Sequence, residues 1–274
     1  MATVADGFRF KEGRPDLLSG TPRAHAVDRW IFVVTAAWYI LIVLTGFIPD
    51  SVMKVQMVAA GARPPFPLVL HMHAVAMGSF LLLLLAQSVL MATGRTEQHK
   101  KLGIVAFALV PVVVIVGCVL APTIYHQVWN FAQSAPSDLR PKMQQQVLAL
   151  DDILLLQMRA GLLFPLFMVI ALKARGRNAG LHKRMVFLAP VVPLGAALFR
   201  MTWLPTTFPA SPLSNDLFLL ATIAPLFIWD VVRNRRVHEA YWISFGIFLP
   251  VTLVVYSLWN TPWWHSTVPR IMGV

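Results

Sequence analysis

The sequence predicts an all-helical integral membrane protein with seven transmembrane helices, and three observations carry this prediction. Of its 274 residues, 57% are hydrophobic and 13% are charged, and the mean hydropathy is +0.67. Soluble domains carry about 25% charged residues, so the composition argues against a water-soluble enzyme, a disordered chain and a nucleic-acid-binding domain. Seven apolar stretches approach the ~20 residues that a helix needs to cross a bilayer. Lysine and arginine are concentrated in alternate connections.

The seven apolar stretches are expected to be helices. None shows the strict alternation of polar and apolar residues that is typical of barrel strands, and only helices and closed barrels span membranes. The sixth stretch is the shortest and can extend at its start. In chain order the predicted spans are Trp30–Ile48, Phe66–Met91, Leu102–Pro122, Ile153–Leu172, Met185–Leu204, Leu217–Val232 and Tyr241–Trp259.

The spans are predicted to form one membrane domain at 29–262. The polar segment 1–28 precedes it and has no apolar core of the kind that signal peptides contain. A tail at 263–274 follows it. The single cysteine, Cys118, excludes a disulfide within the chain and a multi-cysteine metal site.

Two connections have structure of their own in the prediction. The longest, at about 123–150, is expected to be external. Within it, Ser137 or Asp138 predicts the cap of a helix over Leu139–Leu150 that runs into the fourth span. Between the first two spans, Ser51–Pro65 is expected to lie along the outer surface.

The distribution of positive charge predicts the orientation. The formal net charge is +11, and in so apolar a chain this excess is typical of cytoplasmic loops. Sixteen lysines and arginines fall on the side of the amino-terminal segment, which carries Arg9, Lys11 and Arg14, and five fall on the opposite side. The sequence therefore predicts an inner-membrane protein with a cytoplasmic N-terminus and an external C-terminus.

Polar residues inside the spans are the candidate functional groups, because a buried charge in a membrane usually faces a partner or a wet cavity. Those assigned to the outer half come from separate spans, so we expect them to share an outward-facing pocket. Arg159 and Arg200 could clamp an anion, and His71 or His73 could bind a metal or haem iron or carry a proton. The expected pocket residues are Arg159, Arg200, Asp151, Asp152, Gln157, His71 and His73.

The alternative interpretation of this outer set is ion pairing within the bundle, as Asp152 with Arg159 and Asp216 with Arg200. Residues seven apart lie on one helix face, which would allow the first pair. His71 and His73 are two apart and point about 200° away from each other on a helix, so both are not expected to face one ligand.

A second set of polar residues lies at the inner ends of the spans. His99 opens the third span and His182 opens the fifth, both within runs of basic residues. Such residues commonly set topology and contact anionic lipid head groups. The sharper hypothesis is that His99 and His182 approach each other and bind a cofactor. Asp230, next to Trp229, is the nearest acidic residue within a span.

Over Phe66–Leu204 the chain resembles an uncharacterised bacterial multi-pass membrane family, a domain of unknown function. The resemblance rests on a histidine in one span, His71 or His73, followed by the step His99-Lys-Lys-Leu-Gly103. It continues with His182-Lys-Arg-Met185 and with Arg200 at the far end of the same span. This family is loosely similar to b-type transmembrane cytochromes, which hold haem between histidines on neighbouring helices; this likeness implies electron transfer or a quinone partner.

The sequence departs from stacked di-haem cytochromes, which place two histidines about 13–14 residues apart on one helix. No predicted span has such a pair, so a haem would be single or held across helices by His99 and His182. We expect a pocket for a small ligand or cofactor, haem b or a metal ion, with haem- or quinone-linked redox chemistry. The alternatives are an accessory subunit that binds other membrane subunits, and a cofactor-free transporter or transferase.

Overall fold

The computed structural model describes residues 16–274, in which every regular element is a helix. Arg9, Lys11 and Arg14 lie outside the described residues. Seven helices are long and apolar enough to cross a membrane, which confirms the predicted all-helical class and the number of candidate spans. The elements are α1 (Ala26–Ala59), α2 (Leu68–Ala92), α3 (Thr96–Leu102), α4 (Val105–Ser134), α5 (Arg140–Ala174), α6 (Ala179–Leu198), α7 (Leu213–Asn234), α8 (Glu239–Leu258) and α9 (Pro262–Met272).

The outer surface of the bundle is apolar. Leu82, Ile115 and Leu253 are each about three-fifths exposed, although side chains of this type are buried in soluble proteins. Helices that are apolar on every side require either a protein core or lipid around them. The bundle therefore has the surface expected of a multi-pass membrane protein.

Two helices extend beyond the predicted spans. The first, α1, continues to Ala59 and contains Pro49, so much of the segment predicted to lie along the surface is helical. Likewise α4 continues through Pro122 to Ser134. Each proline lacks one helical hydrogen bond, but membrane helices tolerate this loss. The predicted loop at 123–150 is thereby reduced to the turn around Pro136.

The start of α5 and the end of the chain also differ from the prediction. The helix predicted over Leu139–Leu150 does run into the fourth span as α5, but its N-cap is Leu139 and not Ser137 or Asp138. The predicted tail contains the helix α9, which Thr261 caps by accepting a hydrogen bond from Trp264 N at 3.2 Å. This 11-residue helix is too short to have registered as a span.

Helix α6 is the centre of the bundle and packs against α1, α5, α7 and α8. Two-thirds of its apolar window is buried, more than in any other span of the described chain. It lies tightly against α1 at Gly46, where a Cβ would collide with the backbone of Ala197. Small residues at this crossing let the two backbones approach, as is common between membrane helices.

The bundle has two ends, which we name from the contacts that close them. At the proximal end, the start of α1 meets the end of α7, where Asp28 binds Arg233 at 2.6 Å. At the distal end, α9 packs against α4 and α5. The proximal end is the one that the positive charges predict to be cytoplasmic.

Candidate functional site

His99 on α3 and His182 on α6 line the same cavity at the proximal end. The cavity has a volume of about 70 Å³ and lies among α2, α3, α4, α5 and α6. Gln87 and Arg175 also line it, and its remaining walls include Phe80, Leu84, Met168, Leu172 and Val186. An apolar pocket with a few converging polar groups is the usual form of a ligand site.

Hydrogen bonds to the backbone fix the tautomer of both histidines. His99 Nδ1 lies 3.3 Å from the carbonyl oxygen of Gln87, and His182 Nδ1 lies 2.8 Å from that of Ala171. A carbonyl oxygen only accepts hydrogen bonds, so each Nδ1 carries the hydrogen and each neutral ring presents a lone pair at Nε2. Neither Nε2 has a hydrogen-bond partner among residues 16–274.

The same cavity contains an unsatisfied polar atom. Gln87 Oε1 is buried and has no hydrogen-bond partner within the described part of the chain. Gly103 keeps space beside it, because a Cβ there would lie 3.2 Å from Gln87 Nε2 and 3.5 Å from Arg175 Nη2. Buried polar atoms in proteins are normally hydrogen-bonded, so Gln87 Oε1 is a polar group available to a ligand in this cavity.

A second polar group lies deep in the distal half, around Arg159 on α5. Arg159 is 2% exposed. It donates to Asp216 Oδ1 on α7 at 2.6 Å and to Thr252 Oγ1 on α8 at 3.1 Å, and its guanidinium lies over the ring of Phe248. Arg159 is therefore paired with a carboxylate of a neighbouring helix within the bundle.

The Arg159 group is not fully satisfied internally. Arg159 Nε and Asp216 Oδ2 are both buried without a partner among the described residues. Asn215 donates to Asp216 Oδ1 at 3.2 Å and also lines a separate cavity of about 360 Å³. This distal cavity lies between the end of α6, the connection to α7 and the first turn of α7, and includes Phe199, Phe208 and Phe218.

Arg200 lies apart from Arg159. It binds Asp50 Oδ2 at 3.1 Å and stacks over Phe47, both on α1. Asp50 also binds Lys54 at 2.6 Å. The pairings expected from the sequence, Asp152 with Arg159 and Asp216 with Arg200, are therefore replaced by Arg159 with Asp216 and Arg200 with Asp50.

Asp151 and Asp152 form a third distal group with the end of the chain. Asp151 accepts from the Tyr125 hydroxyl at 2.9 Å and lies 3.1 Å from His265 Nδ1. Asp152 accepts from the backbone N–H of Asn260 at 2.8 Å. Both carboxylates are buried, and both bind residues of the α8–α9 region rather than Arg159.

The remaining candidates lie on different surfaces. His71 is exposed and contacts the edge of Phe66. His73 is half-buried, its Nδ1 has no partner within residues 16–274, and it packs near Gly117 on α4. Gln157 lies on the exposed side of α5. The distal residues thus form separate groups, whereas the structure brings His99 and His182 together.

Several residues of these polar groups could not be identified as candidates from the sequence. Gln87, Asn215 and Thr252 are ordinary residues of apolar spans, and only packing shows that they meet charged or polar partners. His265 and Tyr125 could have been noticed as titratable groups near predicted span ends. Their convergence on Asp151 requires α9, which was not predicted.

No group of three or more His, Cys, Asp or Glu side chains within the described residues is arranged to hold a metal ion. A site at His99 and His182 would therefore need further ligand atoms from a prosthetic group. Comparisons of the chain with protein-family models, with curated proteins and with solved structures find no match.

Proposed function

We propose that this protein is a membrane redox protein that holds a single b-type haem between His99 and His182. The observation that carries this proposal is the pair of histidines on one cavity, each with Nδ1 tied to a carbonyl and Nε2 free. A bare metal ion needs about four protein ligands. A haem supplies its own equatorial nitrogens, so two histidines suffice.

The donor set fits such a group. Histidine ligands generally donate their other ring N–H to a carbonyl or carboxylate, which fixes the ring and raises its basicity. Arg175 at the cavity is suited to pair with a propionate. When bound, a haem would supply one-electron transfer. The present volume of about 70 Å³ is small for a porphyrin, so we expect binding to widen the gap between α3 and α6.

The test is the visible spectrum of the full-length protein purified from cells supplied with a haem precursor. We expect a Soret band that shifts on reduction with dithionite, and its loss in His99→Ala and in His182→Ala. His71→Ala is the matched control, because His71 is exposed and away from the cavity. A folded wild-type protein without a Soret band, even after haem titration, would exclude the proposal.

A second candidate function is the binding of a small neutral ligand, such as a quinone head group, in the distal cavity. It is favoured by the aromatic and polar lining of that cavity and by the link from Asn215 to Asp216. Among residues 16–274 no charged side chain lines this cavity, so we propose a neutral ligand and not an anion. A short-chain quinone should raise the thermal midpoint of the wild-type protein but not of Asn215→Leu.

We also propose that the proximal end is cytoplasmic and that the protein resides in a bacterial inner membrane. This is supported by the basic residues at the proximal ends of the spans. Alkaline phosphatase fused after Val274 should be active and a fluorescent protein fused at Met1 should fold in the cytoplasm. The reverse pattern would invert the orientation.

A further inference from the structure

Three basic side chains gather around one carboxylate at the distal end of the bundle, near the end of α1. Asp50 Oδ2 on α1 lies 2.6 Å from Lys54 Nζ and 3.1 Å from Arg200 Nε on α6. Arg63, in the connection from α1 to α2, lies within electrostatic range of Asp50 and Arg200. Three positive charges and one negative charge leave an excess of positive charge in this distal basic cluster, which consists of Asp50, Lys54, Arg63 and Arg200.

The positive charge of this cluster is not balanced within the part of the chain that the structure describes. There, Asp50 is the one carboxylate that pairs with any of the three cations. Arg63 has no ion pair or hydrogen bond among those residues, and its guanidinium lies over the ring of Phe66 instead. Cations that are held close together repel one another unless an anion lies among them. The distal basic cluster is therefore suited to bind one further anion.

The cluster can be reached from the surface, although its side chains are largely shielded from water. The side chains of Lys54 and Arg200 are 27% and 29% exposed, and that of Asp50 is 15% exposed. Salt and water screen a partly buried charge much less than a fully exposed one. An anion bound here would therefore be held at a fixed position by hydrogen bonds to charged groups, which are stronger than hydrogen bonds between neutral groups.

The position of the cluster along α1 matches the depth of lipid head groups. Asp28 lies in the first turn of α1 at the proximal end, and at a rise of 1.5 Å per residue Asp50 is roughly 33 Å further along the helix. The hydrocarbon core of a bilayer is about 30 Å thick. On the same face of α1 as Asp50, Phe47 and Met53 add apolar surface, and Met53 is 51% exposed. A ligand that joins an anionic group to apolar chains would contact both kinds of surface.

We propose that the distal basic cluster binds the phosphate group of one anionic phospholipid in the distal leaflet of the membrane. The phosphate oxygens accept hydrogen bonds from Arg63 and Arg200, Lys54 supplies a further positive charge, and the acyl chains lie along α1. Arginine is well suited to phosphate because its planar guanidinium can donate two hydrogen bonds at once, and basic pockets between membrane helices bind anionic head groups. This inference does not depend on the haem proposal, because the cluster lies away from the proximal cavity.

The test measures which lipid the full-length protein binds first. Native mass spectrometry is performed on protein in dodecyl maltoside micelles that contain equal amounts of phosphatidylglycerol and phosphatidylcholine, which both carry a phosphate but differ in net charge. We expect the first bound lipid to be phosphatidylglycerol by about tenfold, the fold-change expected for one hydrogen bond to a charged group. Arg63→Gln and Arg200→Gln should each bring this ratio close to one. Arg270→Gln is the matched control and should keep the ratio, because it removes an exposed positive charge on α9 at the same end.

Two further measurements separate a lipid site from loss of folding and from a site for free phosphate. Arg63→Gln removes no ion pair within the described residues, so its thermal midpoint in phosphatidylcholine micelles should equal that of the wild-type protein. An excess of inorganic phosphate should not displace phosphatidylglycerol, compared with chloride at equal ionic strength. Displacement would assign the site to a free anion and overturn the lipid assignment. A wild-type ratio near one, or a wild-type ratio retained in folded Arg63→Gln and Arg200→Gln, would also overturn the proposal.

Discussion

Arg184 on α6 and Asp230 on α7 form a two-point ion pair at the proximal end, with Nη2 and Oδ1 2.7 Å apart. Their side chains are 1% and 0% exposed. Asp16 binds the guanidinium Nη1 at 2.8 Å, and the Tyr241 hydroxyl donates to Asp230 Oδ2 at 2.9 Å. Burial of so many charges is tolerated because each has hydrogen-bonded partners.

Removing the charge of Asp230 should therefore be costly. Asp230→Asn leaves Arg184 with the partly exposed Asp16 as its remaining carboxylate partner, and we expect a loss of about 1.5–3 kcal/mol of unfolding free energy, the value of hydrogen bonds to a charged group. Reversible unfolding in mixed detergent would measure it. Glu97→Gln is the control, because the exposed Glu97–Lys100 pair on α3 should contribute less than about 1 kcal/mol. Equal effects of the two substitutions would contradict this assignment.

Arg159 and Asp216 should behave as one unit. Arg159→Met or Asp216→Asn alone leaves a buried charge unpaired, and each should cost about 3–5 kcal/mol of unfolding free energy. The double variant should cost much less than the sum, because neither charge remains. A double-mutant cycle measures this coupling. Additive effects would show that the two side chains act independently.

Acidification should weaken the proximal end through His238. Burial, followed by the charge of Arg184, lowers the pKa of His238 from 6.5 to about 4. Below pH 6.5 the His238 side chain is protonated in the unfolded chain but stays neutral in the folded protein. The free energy of unfolding therefore falls as the pH drops from about 6.5 to about 4. Thermal unfolding midpoints across this range would measure the loss.

The matched variant for this pH effect is His238→Asn. His238 caps α8 by accepting from Ala240 N at 3.1 Å, and asparagine retains this capping ability. The thermal unfolding midpoint of the His238→Asn variant should therefore depend less on pH between 6.5 and 4 than that of the wild-type protein. At lower pH Asp16 adds a further loss in both proteins: although burial opposes its ionisation, Arg184 and Lys183 hold its pKa well below the usual range. An unchanged slope in His238→Asn would rule out His238 as the source.

Two substitutions of glycine by alanine should change the stability of the folded protein in opposite directions. A Cβ at Gly46 would meet the backbone of Ala197, which cannot rotate away as a side chain can, so Gly46→Ala should cost about 1–3 kcal/mol through overpacking. Gly78 on α2 has open space around it, and Gly78→Ala should gain about 0.5–1 kcal/mol from helix propensity. Thermal unfolding of both variants tests this, and a tolerated Gly46→Ala would show that the α1–α6 crossing can separate.

The spans could be predicted because hydropathy is a local property of the chain. The sixth span, for example, was expected to extend at its start, and α7 does begin at Leu213. By contrast, α9 is amphipathic and short, and the pair Thr261-Pro262 was its one start signal. The ends of α1 and α4 were missed because both helices continue to Ala59 and Ser134, past the apolar stretches from which the spans were predicted.

The charged partners could not be predicted, because pairing depends on which helices are neighbours. Arg159 was matched with Asp152 along one helix, but the packing of α5 near α7 and α8 brings it to Asp216 and Thr252. Arg200 was matched with Asp216, but it binds Asp50, which lies two residues past the predicted end of the first span. His99 and His182 were easier to relate, since both open spans from the same side.

The segment at 16–20 forms hydrogen bonds with residues that are synthesised much later. Leu17 N donates to Asn234 Oδ1 at 2.9 Å, Leu18 is completely buried, and its carbonyl oxygen accepts from Lys183. Leu17 and Asn234 are 217 positions apart. During translation, the hydrogen bond from Leu17 to Asn234 cannot form until six spans have been synthesised. The contacts that close the proximal end are therefore completed only late in assembly.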